Sequence, residues 1–257
     1  MADLIDYTIH GDDMQIVEIG LDPGEGVRAE VGAMMFMEDG IEIQTDKGGR
    51  LFKGFKRMIT GDGFFITTFL NNAAAKKHVA FGAPYPGKVI PLELKEMGGS
   101  MICQKDSFLC AAKGVDIETA LTKRMGNGIF AGEGFILQRL SGNGRAFLHA
   151  GGAIIKRELG EMETIRVDTG CIVAFSPTIG YDIQFVGGFK NAMFGGEGIF
   201  LARLEGPGTI YLQSLPLSRL ADRIVSASRT GNRDESSSIG GIGGSIIDGL
   251  FGGDKKY

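Results

Sequence analysis

A short motif, an acidic residue between two glycines followed by an apolar run, recurs in this chain and constrains its fold more than any other feature. It stands at residues 132–144 (GEGFILQRLSGNG) and again at residues 196–208 (GEGIFLARLEGPG). A weaker copy lies at residues 61–69 (GDGFFITTF). Between residues 132–150 and 196–214, nine of nineteen positions are identical, where average residue usage would give about one. The sequence therefore predicts one unit written three times, in a pseudo-threefold arrangement.

Glycine content indicates what kind of unit this is. The chain has 42 glycines among 257 residues, more than twice the usual share of roughly 7%, and no Gly-X-Y period. Glycine at this frequency, together with many Ile, Val and Phe residues, is typical of short strands joined by tight turns. We therefore expect an all-β fold of three repeated antiparallel units, of the β-sandwich type.

The repeats set the expected domain organisation. A β-body over residues 1–215 would hold three copies, at about 7–85, 86–152 and 153–215. Each copy also contains a run that we expect to be buried, followed by a turn and an alternating strand; these runs are residues 32–37, 108–112 and 171–175. Pairing between the repeats stays open, because repeated units can exchange strands without changing their local patterns.

The chain changes character after the third copy. Leu217, Leu220, Ile224 and Val225 follow helical spacing after Pro216, which is tolerated in a first helical turn. This pattern predicts a short helix over residues 216–229 and a flexible Gly/Ser-rich tail over residues 230–257.

Charge and targeting signals narrow the function classes. The formal net charge is −4, which argues against a protein that neutralises nucleic-acid phosphates. No run of 18 apolar residues is present, so we expect no transmembrane segment. We also expect no signal peptide, because the N-terminal residues lack a basic region followed by an apolar run.

The Gly-acid-Gly triplets are the first candidate site. In one interpretation each is only a tight turn before a buried strand. In the other, the three copies surround an axis and their acidic residues form a ring for a divalent cation or a basic peptide. The ring would consist of Asp62, Glu133 and Glu197.

The histidines and cysteines do not suggest catalysis. The histidines are far apart in sequence and are interpreted as surface or core residues: His10, His78 and His149. The cysteines fall at positions that the repeat does not preserve and are interpreted as reduced core residues: Cys103, Cys110 and Cys171. Neither set has zinc-ligand spacing, and no nucleophile-elbow or phosphate-loop motif occurs. We expect no enzymatic activity and no cofactor.

The tail is the second candidate site. Its apolar residues fall on one face of a helix: Ile239, Ile242, Ile246, Ile247, Leu250 and Phe251. Seven glycines between residues 240 and 253 oppose such a helix at roughly 1 kcal/mol each. The tail is therefore either simply flexible, or it orders on a protein partner or a membrane surface.

Several of these segments resemble the AIM24 family. They are residues 22–27 (DPGEGV), residues 30–35 (EVGAMM), Lys56-Arg57, the Gly-acid-Gly strands and the glycine-rich tail. The resemblance spans roughly residues 7–220 and implies a fold similar to the tryptophan RNA-binding attenuator protein, whose units often assemble as rings or trimers. Mitochondrial relatives are implicated in inner-membrane organisation, so the resemblance implies a scaffold role. The link to RNA is one of fold only.

The preferred function is therefore a non-enzymatic structural or interaction protein. It would be cytoplasmic and would bind a protein partner or itself, with peripheral membrane contact through the tail. The alternative is a binding module for a small anionic ligand, a cation or a peptide at the repeat junctions.

Overall fold

The computed structural model describes residues 5–44, 66–83, 85–123, 135–186 and 199–231. The chain divides into two compact units, Met1–Pro216 and Leu217–Tyr257. Within the described residues, the first unit is built from short β-strands and single 3₁₀ turns, and all of its strand pairings are antiparallel.

The strands fall into three consecutive segments. The first segment contains β1 (Asp6–His10), β2 (Ile16–Leu21), β3 (Gly26–Glu30), β4 (Met34–Met37), β5 (Ile41–Gln44), β6 (Ile66–Asn71) and β7 (Lys77–Gly82). The second contains β8 (Lys88–Glu93), β9 (Ser100–Gln104), β10 (Phe108–Ala112), β11 (Asp116–Lys123), β12 (Phe135–Ser141) and β13 (Arg145–Ala150). The third contains β14 (Ile154–Leu159), β15 (Thr164–Asp168), β16 (Ile172–Phe175), β17 (Gly180–Val186), β18 (Ile199–Glu205) and β19 (Gly208–Gln213).

A 3₁₀ turn interrupts each segment at a corresponding point. The three turns are Val31–Ala33, Lys105–Ser107 and Thr169–Cys171, and they precede β4, β10 and β16. Sharp left-handed turns follow two of these strands, at Gly40 and Gly114, both with φ of +99°. Residues with a side chain rarely adopt this φ, so glycine favours the change of direction there.

Four sheets result from the pairings. Sheet A has the order β1-β2-β7-β4, and sheet D has the order β15-β18-β17. The two six-stranded sheets have the orders β5-β6-β3-β10-β13-β8 (sheet B) and β11-β12-β9-β16-β19-β14 (sheet C). Each of the six-stranded sheets therefore joins three strands of one segment to three strands of the next.

The cross-segment pairings have the same register in both six-stranded sheets. In sheet B, Cys110 on β10 lies opposite Ala29 on β3. In sheet C, Ala174 on β16 lies opposite Cys103 on β9. These positions differ by 74 and then 64 residues, the same offsets that separate the three 3₁₀ turns (105 − 31 and 169 − 105).

Buried apolar side chains form two clusters between the sheets. The larger cluster draws on the first two segments and includes Val173, Ala174 and Tyr211 of the third. Its aromatic rings meet edge to face, as between Phe69 and Phe81 with ring centroids 5.2 Å apart. The smaller cluster consists of third-segment residues together with Ile102 and Leu137 of the second.

The second unit begins with helix α1 (Leu217–Gly231). Its apolar residues follow the helical spacing noted above, so the helix prediction is confirmed, with bounds close to the expected 216–229. The prediction of an all-β fold of antiparallel sheets is confirmed as well. The pseudo-threefold arrangement stays a prediction, because sheets B and C correspond to each other whereas sheets A and D each contain only part of such a sheet.

Candidate interaction surface

The two sites proposed from the sequence lie outside the described residues. Asp62, Glu133 and Glu197 fall in gaps of the described ranges, and so do all six apolar tail residues, Ile239, Ile242, Ile246, Ile247, Leu250 and Phe251. The acidic ring and the docking tail therefore stay predictions. In the part of the chain that the structure describes, no group of three His, Cys, Asp or Glu side chains could hold a metal ion.

Two of the three histidines lie at the surface beside carboxylates. His10 Nε2 is 2.7 Å from a carboxylate oxygen of Glu18 on the paired strand. His78 Nδ1 lies 3.5 Å from a carboxylate oxygen of Glu38, whose other contact is the backbone N–H of His78 at 2.9 Å. That N–H, which donates to the carboxylate, lowers the pKa of Glu38. These pairs tie neighbouring strands together.

His149 on β13 is the buried histidine, with 2% of its surface exposed. The ring of Tyr85 packs edge-on against its imidazole with centroids 4.5 Å apart. Its Nδ1 has no hydrogen-bond partner among the described residues. Burial lowers the pKa of His149 to about 4, so the imidazole is neutral at physiological pH.

The position that corresponds to His149 in the third segment holds Gln213, which is also buried. Its amide accepts a hydrogen bond from the backbone N–H of Gly151 at 2.8 Å and donates one to the carbonyl oxygen of Gly170 at 2.9 Å. A buried polar side chain thus lies near the end of β13 and of β19, and in each case it faces other protein groups.

Two of the three cysteines lie in the core. Cys103 and Cys110 are completely buried and Cys171 is half-buried. Desolvation raises the pKa of the Cys103 thiol to about 12 and that of Cys110 well above its usual value. Buried thiols with such pKa values are poor nucleophiles and poor metal ligands, which agrees with their interpretation as core residues.

An exposed apolar strand is the feature that stands out. Strand β4 has the sequence Met-Met-Phe-Met, and the exposed fractions are 57% for Met35, 45% for Phe36 and 37% for Met37. The expectation that the run 32–37 is buried is therefore wrong for this part of the strand. The corresponding strands β10 and β16 are buried at every position.

Strand pairing explains the difference. Strand β10 lies between β3 and β13, and β16 lies between β9 and β19, so each is covered along both edges. Strand β4 pairs with β7 and, among the described residues, is the terminal strand of sheet A. Its outer edge therefore presents three large apolar side chains beside backbone groups that a further strand could bind.

Strand β15 is a second strand at the end of a sheet. It pairs with β18 at the end of sheet D. Its side chains alternate, with Val167 9% exposed and Thr164 and Arg166 exposed. Such alternation is typical of a strand with one face toward a core and one toward solvent.

Sequence reasoning missed the exposed strand because all three apolar runs match the strand pattern equally well. One signal could have separated them, namely methionine content, since the runs 108–112 and 171–175 contain no Met. The run 108–112 ends in Cys110, Ala111 and Ala112, whereas β4 has Phe and three Met residues. Small residues suit close packing inside a sandwich, and flexible methionines are common at binding surfaces.

The fold and the sequence together define an all-β protein whose consecutive segments share antiparallel sheets. The chain matches the family model described as "Mitochondrial biogenesis AIM24" over residues 7–215. It therefore belongs to the AIM24 family, as its motifs suggest.

Two proteins of Streptococcus pyogenes are similar to this chain. An uncharacterized protein of Streptococcus pyogenes serotype M6 is 29% identical over 214 residues, which cover 80% of this chain and 84% of the relative. The crystal structure of a Streptococcus pyogenes protein from a structural genomics consortium superposes with a TM-score of 0.71 at 26% identity. That match covers 87% of this chain and 99% of the solved one. The family and the fold are thus shown, and the function has to be argued from the surface.

A helix that crosses a membrane has to be long and apolar. No helix in the described ranges has both the length and the apolar character that crossing a bilayer requires.

Proposed function

We propose that this protein is a non-enzymatic structural or interaction protein, a scaffold that binds protein partners through the exposed surface of β4. The observation that carries the proposal is the exposure of Met35, Phe36 and Met37 along one terminal strand. A terminal strand of this kind can accept an added strand by backbone hydrogen bonding, while its side chains give specificity.

The energy available at this surface suits protein binding. Complete burial of a Met or Phe side chain contributes about 1.5–3 kcal/mol. Met35, Phe36 and Met37 are already partly covered, so their remaining exposed area corresponds to about 2–4 kcal/mol in total. Backbone pairing adds to this, and the same exposure would otherwise favour non-specific aggregation.

A charge substitution tests the role of β4. Phe36→Asp places a carboxylate in the centre of the surface and should abolish affinity capture of the proteins that the wild type retains from native lysate. Met162→Asp is the matched control, because Met162 is an 85% exposed apolar residue in a turn, outside β4. The control should capture the same partners as the wild type, and circular dichroism should show that both variants are folded.

The proposal fails if the Phe36→Asp variant, shown to be folded, captures the same proteins in the same amounts as the wild type. It also fails if Met162→Asp abolishes capture to the same degree, because a general loss of surface apolarity would then account for both results.

The tail forms the second part of the proposal. We infer that residues 230–257 add contact with a membrane surface through Ile239, Ile246 and Phe251, on the basis of their spacing in the sequence. Deletion of residues 236–257 should lower binding to liposomes that contain anionic lipid and leave partner capture through β4 unchanged. Equal liposome binding by the full and the shortened chain would remove this part. A cytoplasmic location is proposed on the same footing, from the reduced cysteines.

A further inference from the structure

The partner that best fits β4 can be derived from the way in which the chain pairs its own segments. This inference rests on the proposed function, because it names the partner of the same surface. Strand β3 of the first segment lies beside β10 of the second, and β9 of the second lies beside β16 of the third. The same kind of strand pairing thus joins each segment to the next one along the chain.

Two strands, β15 and β4, do not take part in this pairing between segments among the described residues. Strand β15 occupies in the third segment the place of β3 and β9, directly before a 3₁₀ turn. Strand β4 occupies in the first segment the place of β10 and β16, directly after a 3₁₀ turn. Strand β15 is the terminal strand of sheet D, and β4 is the terminal strand of sheet A. Each lies at the point where sheets B and C continue into the neighbouring segment. Sheet D and the strands β2-β7-β4 of sheet A are therefore complementary halves of a sheet like B or C, with β1 as an additional strand.

We propose that β15 of one copy of this chain pairs antiparallel with β4 of a second copy, and that this pairing joins sheet D of one molecule to sheet A of the other. The register follows from the two internal examples. Cys110 opposite Ala29 and Ala174 opposite Cys103 both translate, through the offsets of 74 and 64, into Phe36 opposite Val167. The next pair is Met37 opposite Arg166.

The two strands belong to separate sheets within one molecule. In the described residues, β4 lies in sheet A and β15 in sheet D. The smaller core cluster includes Val167 and residues of the second and third segments, and no residue of the first segment belongs to it. Among the described residues β4 pairs with β7 and β15 pairs with β18, and Phe36 is 45% exposed. Strand β15 of a second copy can instead lie beside β4 of the first copy.

Side-chain size also favours contact between molecules. The internal pairs are small, Ala29 with Cys110 and Cys103 with Ala174, and they are held together by the covalent chain. A contact between separate molecules must overcome the entropy of association. Phe36 has 45% of its surface exposed, whereas Val167 is already buried at 9% exposed, so the covering of Phe36 supplies the apolar part of that free energy.

The contact joins different surfaces of the two copies, so one pairing leaves a β4 on one copy and a β15 on the other uncovered. Both are covered only in a closed assembly, either a dimer with two reciprocal β4–β15 contacts or a larger ring. The protein should therefore form closed oligomers whose size is set by the rotation between copies.

Disulfide trapping between two differently tagged populations tests the register. A Phe36→Cys copy and a Val167→Cys copy are mixed and oxidised, so any link between the two new thiols must be intermolecular. We expect a reducible species with one copy of each tag, because directly opposed residues of an antiparallel pair bring their side chains close together. The native thiols at Cys103 and Cys110 are buried and should give little background; each single variant mixed with wild type measures it.

The control pairs Phe36→Cys with Arg166→Cys. A shift of one residue turns a side chain to the opposite face of the sheet, so this pair should cross-link roughly tenfold less than the expected pair. Sizing chromatography with light scattering should show oligomers for the wild type and a shift toward single chains for Phe36→Asp.

Three results would overturn the inference: no cross-link above background, equal cross-linking of the control pair, or a purely intramolecular link when Phe36→Cys and Val167→Cys are combined in one chain. These results leave the proposed function standing if β4 still captures other proteins in the lysate experiment. Conversely, failure of the proposed function would appear as unchanged lysate capture by the Phe36→Asp variant, whereas an unchanged oligomeric state of that variant would contradict the inference.

Discussion

Acidification from pH 7 to pH 5 should destabilise the folded protein through His149. The imidazole is 2% exposed, and its burial lowers the pKa of His149 from the usual 6.5 to about 4. Between these two pKa values the unfolded chain binds a proton that the folded chain does not. The stability contributed by the neutral form is therefore present above pH 6.5 and is lost as the pH falls toward 4.

The magnitude follows from the size of the pKa shift. A difference of about 2.5 pKa units corresponds to about 3 kcal/mol over the whole titration. Linkage places about 2 kcal/mol of that loss between pH 7 and pH 5. The pKa values of Asp6, lowered by the hydrogen bond from Lys76, and of Glu38, lowered by the backbone N–H of His78, lie below the usual carboxyl range. Those two groups therefore titrate mainly below this interval.

Urea unfolding at pH 7, 6 and 5, followed by circular dichroism because the chain has no Trp, measures the effect. His149→Gln is the informative variant, since Gln213 occupies the corresponding position and is well bonded there. We expect the wild type to lose about 2 kcal/mol across the interval and the variant to lose much less, whatever its stability at pH 7. An equal loss in both proteins would refute the assignment to His149.

Two further predictions concern residues that hold the strands together. Arg145 lies over the ring of Tyr7, 4.6 Å from its centroid, and is ion-paired with Glu93; Arg145→Ala should cost about 2 kcal/mol in urea unfolding, with Arg145→Lys intermediate. A free energy of unfolding for Arg145→Ala within error of the wild type would contradict a stabilising role for these two contacts. A Cβ at Gly87 would lie 2.3 Å from a backbone carbonyl oxygen, whereas one at Gly32 would meet nothing within 4 Å. Gly87→Ala should therefore lower the thermal midpoint by an amount equivalent to at least about 2 kcal/mol, and Gly32→Ala should change it by less than about 0.5 kcal/mol; similar midpoints for the two variants would contradict this reasoning.

Local sequence patterns predicted local structure well. Residues 11–13 (Gly-Asp-Asp) have the composition of a tight turn, and they join the antiparallel strands β1 and β2, because a hairpin depends only on its own turn and flanking alternation. The spacing of Leu217, Leu220 and Ile224 likewise identified helix α1. In both cases the determining residues lie within one or two turns of one another.

Long-range pairing could not be predicted in the same way. Strands β10 and β11 follow each other after a turn at Gly114 but belong to different sheets. Nothing in the alternation of Ile117 and its neighbours states which strand will lie beside them. The exposure of β4 follows from its place at the end of sheet A, which no local pattern states, although its methionines distinguish it from β10 and β16. The acidic triplets and the tail lie outside the described residues and stay predictions.

The sharing of sheets B and C between consecutive segments has a consequence for folding during synthesis. When the first segment has left the ribosome, its strand β3 has no β10 to pair with, because β10 begins only at Phe108. The nascent chain must therefore hold an open sheet edge until the next segment emerges, and such edges favour misassociation. In the finished chain the same linkage should make the β-body lose its structure in one cooperative transition, because no segment can leave without opening the sheet of its neighbour.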